Sequence, residues 1–318
     1  MAPIHVQRSP RLLVIGDIIL DEYIWTKVHR ISPEAPVPVC HVQHRTHRLG
    51  GAGNVAHNLS VLGATVTIMG LAGQDSNAHT LHQLLMDAGI HTDGLIPSNG
   101  PTITKSRVMA GKQQLCRLDD EMLNQASSAH MPALLAQLQA NTGAWDAIVI
   151  SDYNKGVITN EAAQAIIAYA KAQGVPVIVD PKGKQPEKYR GATCMTHNVK
   201  EFLDLTGASP SGQAALIDLA MLFIDQFELG AVILTQSEAG MTHITPKGHQ
   251  HYPTKAVDVS DVTGAGDTVV AAIAFGMALG WDHATIMHVA NCAAGVVVSK
   301  VGTATATIDE INDYESHL

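Results

Sequence analysis

The chain has 318 residues, 46% hydrophobic and 15% charged, with a formal net charge of −9. This excludes a disordered or fibrous chain and disfavours a non-specific nucleic-acid binder, which needs a basic surface. No run of 18 apolar residues predicts a membrane span, and four scattered cysteines with no C-x-x-C pair signal neither a zinc site nor a disulfide framework, so a reducing, cytoplasmic setting is expected.

Arg11–Ile15 reads as a buried strand that ends at Gly16-Asp17. Val55, Leu59 and Leu62 recur at helical spacing, and Gly63 stops that helix. Thr65–Met69 follows as a strand, and Leu81, Leu84, Leu85 and Ala88 form a helical stripe ending at Gly89. Further on come a strand at Asp146–Ile150, a helix at Asn160–Gln173 and a strand at Val175–Asp180. A helix around Leu216–Phe223, a strand at Ala231–Thr235 and two helices near Ala265–Leu279 and His283–Lys300 complete the series. Apolar strands alternating with amphipathic helices predict an α/β fold, a mostly parallel sheet covered on both faces. Ile24–Arg48, with Pro33, Pro36 and Pro38, and Thr102–Leu118, with two short β-like runs, break the alternation. Together they predict a small accessory sheet, a β lid of segments about 24–48 and 102–118, on one domain spanning residues 1–318.

The motif with most chemical content is Asp261-Val-Thr-Gly-Ala-Gly-Asp267, which opens the apolar helix beginning near Ala265. Gly264 and Gly266 allow a ligand close to the backbone, and Ala265 lies between them; the helix's first N–H groups and its dipole favour an anion there. A carboxylate at Asp267 suits a base that accepts a hydroxyl proton during phosphoryl transfer. Simple helix capping explains the aspartate but not the two glycines. Leu49-Gly-Gly-Ala-Gly-Asn54 is the second feature. Gly51, Gly53 and Ala56 match a dinucleotide fingerprint, but no apolar strand precedes them. Gly50, Gly51 and Asn54 read better as a backbone surface and an amide for substrate hydroxyls, or as a tight loop before a helix. His41, His44 and His47 read as a solvated strand rather than a metal site. Asp17 and Asp21 follow the first strand, at the sheet end where such folds bind ligands. Lys105 and Arg107 lie two apart on a predicted strand, so they share a face and suit a substrate phosphate, unless they are solvated edge-strand charges; Arg30 and Arg117 are further candidates.

The two glycine motifs, with Thr196-His-Asn-Val-Lys-Glu201 between them, resemble the signatures of the ribokinase-like (PfkB) carbohydrate kinases over nearly the whole chain. The resemblance implies a three-layer fold, ATP and Mg²⁺, possible use of K⁺, and a small-molecule sugar substrate. It sets Asn198, Val199, Lys200 and Glu201 beside ATP phosphates, with Mg²⁺ near Glu201. His197 stands where the family usually has proline. Thr235, Ser237 and Gly240 resemble its nucleotide-binding turn, Asn291 its adenine contact, and Asp261 and Thr263, with backbone from Val297 to Gly302, its monovalent-cation site. Sugar-hydroxyl contact at Asp17 and Asp21 is also implied, with a turn role as the alternative. Gly16–Tyr23, Arg30–Pro38, Ser151–Gly156 and Val179–Gly183 narrow the match: they are similar to kinases of D-glycero-β-D-manno-heptose 7-phosphate, which act at the anomeric hydroxyl on the route to ADP-heptose and lipopolysaccharide core. Another sugar kinase of ribokinase or fructokinase type, or a non-catalytic sensor on the same fold, are the alternatives. Such kinases are often fused to an adenylyltransferase; with no H-x-G-H present, a stand-alone kinase or a kinase domain is expected. The open edges of the accessory sheet predict a homodimer through the lid.

Overall fold

The computed structural model describes residues 3–121, 130–140, 145–254, 261–300 and 302–316. In chain order its elements are β1 (Arg11–Gly16), β2 (Ile18–Ile31), β3 (Pro38–Gly51), α1 (Ala52–Val61), β4 (Thr65–Ala72), α2 (Ser76–Asp87), β5 (His91–Pro97), β6 (Thr104–Ala110), β7 (Gln113–Asp120) and α3 (Met131–Ala140). Then follow β8 (Ala147–Asp152), α4 (Asn160–Gln173), β9 (Val177–Pro181), β10 (Cys194–Asn198), α5 (Val199–Thr206), α6 (Gln213–Phe227), β11 (Ala231–Thr235), β12 (Met241–Thr245), β13 (Gly248–Tyr252), α7 (Ala265–Leu279), α8 (His283–Val298) and α9 (Ile308–Ser316).

Among the described residues, one sheet runs β13-β12-β11-β10-β9-β8-β1-β4-β5. Its strands are parallel from β5 to β11, and the β12–β13 hairpin adds an antiparallel edge. The Val/Ile/Leu runs of β1 and β8 form central strands because both faces are covered. Leu12 and Val14 enter one hydrophobic cluster with α1, α7 and α8, whereas Leu13 and Ile15 enter a second with α4 and α6. That alternation makes three layers, as the ribokinase-like reading expects. No helix among the described residues is long and apolar enough to cross a membrane.

The second sheet runs β3-β2-β6-β7. β2 and β3 are antiparallel strands of 14 residues each, longer than the expected Ile24–Arg48 stretch. Pro33 and Pro36 fall in the turn between them, and Pro38 opens β3, where its missing N–H costs little. β6 pairs with β2 on one side and β7 on the other, so Lys105 and Arg107 are not on an edge strand as one expectation had it. The chain passes from β1 into β2 through Asp17 alone and returns at Gly51 into α1. Ala52 N–H donates to the Asp17 carbonyl at 3.0 Å, and Asp17 N–H to the Ser151 carbonyl at 3.1 Å, which pins the two sheets together. Gly51 turns there at φ 55°, a conformation that favours glycine.

Candidate active site

The parallel strands β1, β8, β9, β10 and β11 bring Asp17, Asp152, Asp180, Asn198 and Thr235 to their carboxyl ends, and α7 begins over this row. Gly264 precedes α7 at φ 82°; a β-carbon there would lie 2.9 Å from Asn54 Nδ2, so both conformation and space demand glycine. Gly266 differs. It is exposed, and a β-carbon built on it meets no protein atom within 4 Å. No side chain caps this helix, so its amino end faces the cleft undecorated.

Asp267 lies in that first turn, only 6% exposed. Capping is not its role: its carboxylate accepts a hydrogen bond from Asn54 Nδ2 at 2.7 Å on Oδ2 and from the Tyr153 hydroxyl at 2.7 Å on Oδ1. The Asn54 amide is itself oriented. Thr268 Oγ1 donates to Asn58 Oδ1 at 2.9 Å, and Asn58 Nδ2 donates to the Asn54 carbonyl at 2.9 Å and to Asn54 Oδ1 at 3.3 Å, which leaves the Asn54 amino group to point at Asp267. Burial, then the nearby Asp180 charge, raise the Asp267 pKa to about 6, against the opposing pull of Asn54, Tyr153 and Lys182. A carboxylate tuned upward yet ionised at neutral pH suits a general base. Asn54 therefore orients Asp267 in this structure through one N–H of its amide.

Asp17 departs from the sugar-contact expectation. It is fully buried, and its oxygens accept the N–H groups of Lys155 at 3.0 Å and Val157 at 3.1 Å, so it holds the loop after β8. Burial, then the Asp152 charge, raise its pKa to about 6. Asp21 accepts from Arg107 at 2.6 Å, and the Arg107 guanidinium also lies over the Tyr23 ring, 5.3 Å from its centroid. Arg107 is thus paired with a carboxylate through one of its nitrogens, a partner the sequence did not reveal. Gly50 is needed where it stands, because a β-carbon would come 2.5 Å from Asp21 Oδ2. Arg117 pairs with Asp119, and Lys155 with Glu121 at 2.6 Å. Lys105 has no salt bridge among the described residues; its ammonium group sits 5.8 Å from the centroid of the Tyr153 ring. Burial, then the charge of Lys155, lower its pKa against the opposing pull of Asp21 and Asp119.

On the nucleotide side, Asn198 and Glu201 form a complete capping box at the start of α5. Glu201 Oε2 accepts Asn198 N–H at 3.1 Å, and Oε1 pairs with Lys182 at 3.0 Å. Val199 and Lys200 open the same helix, Lys200 exposed. Thr235 ends β11; Ser237, at φ 51°, and Gly240, at φ 92°, shape the turn that follows. Asn291, on α8, donates to the carbonyl of Tyr252, the last residue of β13, at 3.0 Å. Asp261 accepts Thr263 N–H on Oδ1 at 2.9 Å and Gly302 N–H on Oδ2 at 2.9 Å, joining the start of α7 to the loop after α8; Val301, in the segment assigned to the cation site, lies outside the described residues. Among the described residues no cluster of three or more metal-ligating side chains occurs, His41, His44 and His47 included. Tyr153 and Asp180 were not anticipated as site residues. Asp180 is buried with Oδ2 unpartnered, beside Lys182 at 3.3 Å, and its position at the end of an apolar strand was the available signal.

The family model described as pfkB family carbohydrate kinase matches residues 9–310. The chain is 40% identical over 311 residues to the bifunctional protein HldE of Sulfurimonas denitrificans and 44% identical over 310 residues to that of Shewanella amazonensis, covering 98% and 96% of this chain but 65% and 64% of theirs. It therefore spans just under two thirds of the length of these curated relatives. In fold it is similar to phosphofructokinase-2 from Escherichia coli in complex with potassium, with TM-score 0.81, 19% identity and coverage of 97% and 99%. Arabidopsis thaliana ribokinase complexed with ribose and ATP aligns with TM-score 0.76 at 19% identity, covering 96% and 99%.

Proposed function

The chain belongs to the pfkB family of carbohydrate kinases, and from that premise we propose that it phosphorylates D-glycero-β-D-manno-heptose 7-phosphate at its anomeric hydroxyl with ATP. The name and identity of the HldE relatives support the heptose, together with the Gly16–Tyr23 and Arg30–Pro38 likeness. The observation that carries the reading is a chain of three groups: Lys105, without a salt bridge among the described residues, the Tyr153 ring beside it, and Asp267 bonded to the Tyr153 hydroxyl. A sugar with its phosphate on Lys105 reaches toward Asp267 with its other end, so binding energy at a remote group orients the reacting hydroxyl.

Asp267 takes the proton of that hydroxyl as its oxygen bonds to the γ-phosphorus of ATP and the bond to the β–γ bridging oxygen breaks, releasing ADP. The amino end of α7 faces the charge on the transferring group, and Gly266 lets it come close. Mg²⁺ fits this cleft, since the buried, unpartnered Asp180 Oδ2 is an oxygen a hydrated cation satisfies; it would neutralise phosphate charge. A product at the 1,7-bisphosphate level enters lipopolysaccharide core synthesis. The exposed Val28, Ile31, Val37 and Val42 on β2, β3 and their turn support pairing of two copies through this sheet.

An ATP-consumption assay over sugars and sugar phosphates tests the proposal. Heptose 7-phosphate is expected to be used far better than ribose, fructose or adenosine. Equal use of ribose or fructose overturns the heptose assignment, and no transfer to any sugar overturns the kinase reading.

A further inference from the structure

We propose that Tyr153 is a positioning residue for Asp267: its hydroxyl and the Asn54 amide clamp the carboxylate by both oxygens, so that it turns one fixed edge to the incoming hydroxyl. The inference rests on the reading of Asp267 as the base. The two donors stand at 2.7 Å on different oxygens, so neither can be lost without freeing the carboxylate to rotate. Each oxygen keeps a lone pair for the substrate.

The loop carrying Tyr153 is held by an unusual quantity of buried charge. Fully buried Asp17 accepts the N–H groups of Lys155 and Val157. Asp152, also fully buried, accepts Asn154 N–H at 2.7 Å, and it is anchored by Lys188 at 2.5 Å and by the Tyr189 hydroxyl. Asn154 sits between them at φ 57°, a left-handed conformation uncommon outside glycine. Two desolvated carboxylates are costly for a surface connection. What they fix in common is the place of one tyrosine.

Other groups facing Asp267 are Asp180 and Lys182 from the end of β9, with Lys105 of β6 above the Tyr153 ring. Tyr153 stays protonated throughout the neutral range, because burial and then the Asp267 charge push its phenol well above the usual tyrosine value. It therefore acts as a donor only, favouring the ionised carboxylate and setting its direction.

Tyr153→Phe keeps the ring and removes the clamp. The expected result is a fall in kcat of about 10²-fold, the scale of an ångström's misplacement, with KM for ATP and sugar near wild type. The acid limb of kcat/KM should also move to higher pH, since the lost hydrogen bond had favoured the anion. Substitution of Tyr153 by 3-fluorotyrosine, a stronger donor, should restore kcat and move the limb to lower pH. A Tyr153→Phe variant with wild-type kcat and an unmoved limb overturns the proposal. Carbon-13 NMR titration of the Asp267 carboxyl in wild type and Tyr153→Phe separates this from the reading it rests on: a wild type inactive on every sugar defeats the base assignment, whereas an unchanged titration defeats the clamp whatever the activity.

Discussion

The two sheets divide the work differently. The large sheet buries both faces, and its central strands are almost free of exposed side chains. The four-stranded sheet is exposed over half of β3 and most of β7, and it carries Asp21, Lys105 and Arg107. Asp267 belongs to the first region, held through α7, α1 and the β8 loop by hydrogen bonds that reach into the core. Lys105 belongs to the second, held by a strand pairing and one ring. On the proposed function, the chemistry is built on the rigid, buried sheet and sugar recognition on the more exposed one.

Asp267→Asn should break the first half of this division most severely. General-base contributions of about 10²–10⁴-fold set the expected loss of turnover, with ATP binding retained; isothermal titration with ATP beside a steady-state assay checks both. The buried Lys188–Asp152 pair comes next. Lys188→Met leaves Asp152 without its countercharge and should cost about 3–5 kcal/mol in denaturant unfolding, whereas the exposed Arg190→Ala, paired with exposed Glu228, should cost well under 1 kcal/mol.

A pH profile sharpens the comparison further. The Asp267 pKa is raised, so the base is progressively protonated as pH falls through about 6, and kcat/KM should decline below that point. A sugar phosphate also titrates near pH ~6, so the profile of Asp267→Glu on the same substrate is the control.

A further effect concerns His197. Both its ring nitrogens are buried without partners, it packs against Phe202 and Phe223, and burial depresses its pKa to about 4. A histidine depressed in the folded state contributes stability that is present above the unfolded value of about 6.5 and lost as pH falls toward 4. His197→Leu should remove about 1–3 kcal/mol of that acid-induced loss, read as a flatter dependence of Tm on pH.

The same contrast decided what was legible in the sequence. β1, β8 and β11 are continuous apolar runs, and such runs announce buried strands. α5 carried its own N-terminal signal in Asn198 and Glu201, and the capping box is there. β6 and β7 match the two short β-like runs expected within Thr102–Leu118, whereas the β12–β13 hairpin is masked by histidines at 243, 249 and 251. Asp267 was visible because glycines surround it. The commitments of Asp17 to a loop and Arg107 to Asp21 were not, since pairs separated by 138 and 86 positions leave no local pattern. Tyr153 was missed for the same reason: its partner lies 114 positions away.

The division of labour is tested most directly by Lys105→Ala on two substrates, heptose 7-phosphate and the same heptose without its phosphate. A charge-assisted contact of about 1.5–3 kcal/mol corresponds to a loss of roughly 10–10²-fold in kcat/KM on the phosphorylated sugar, and the neutral sugar should be unaffected. An equal loss on both sugars, or none on either, contradicts the assignment of phosphate recognition to the second sheet.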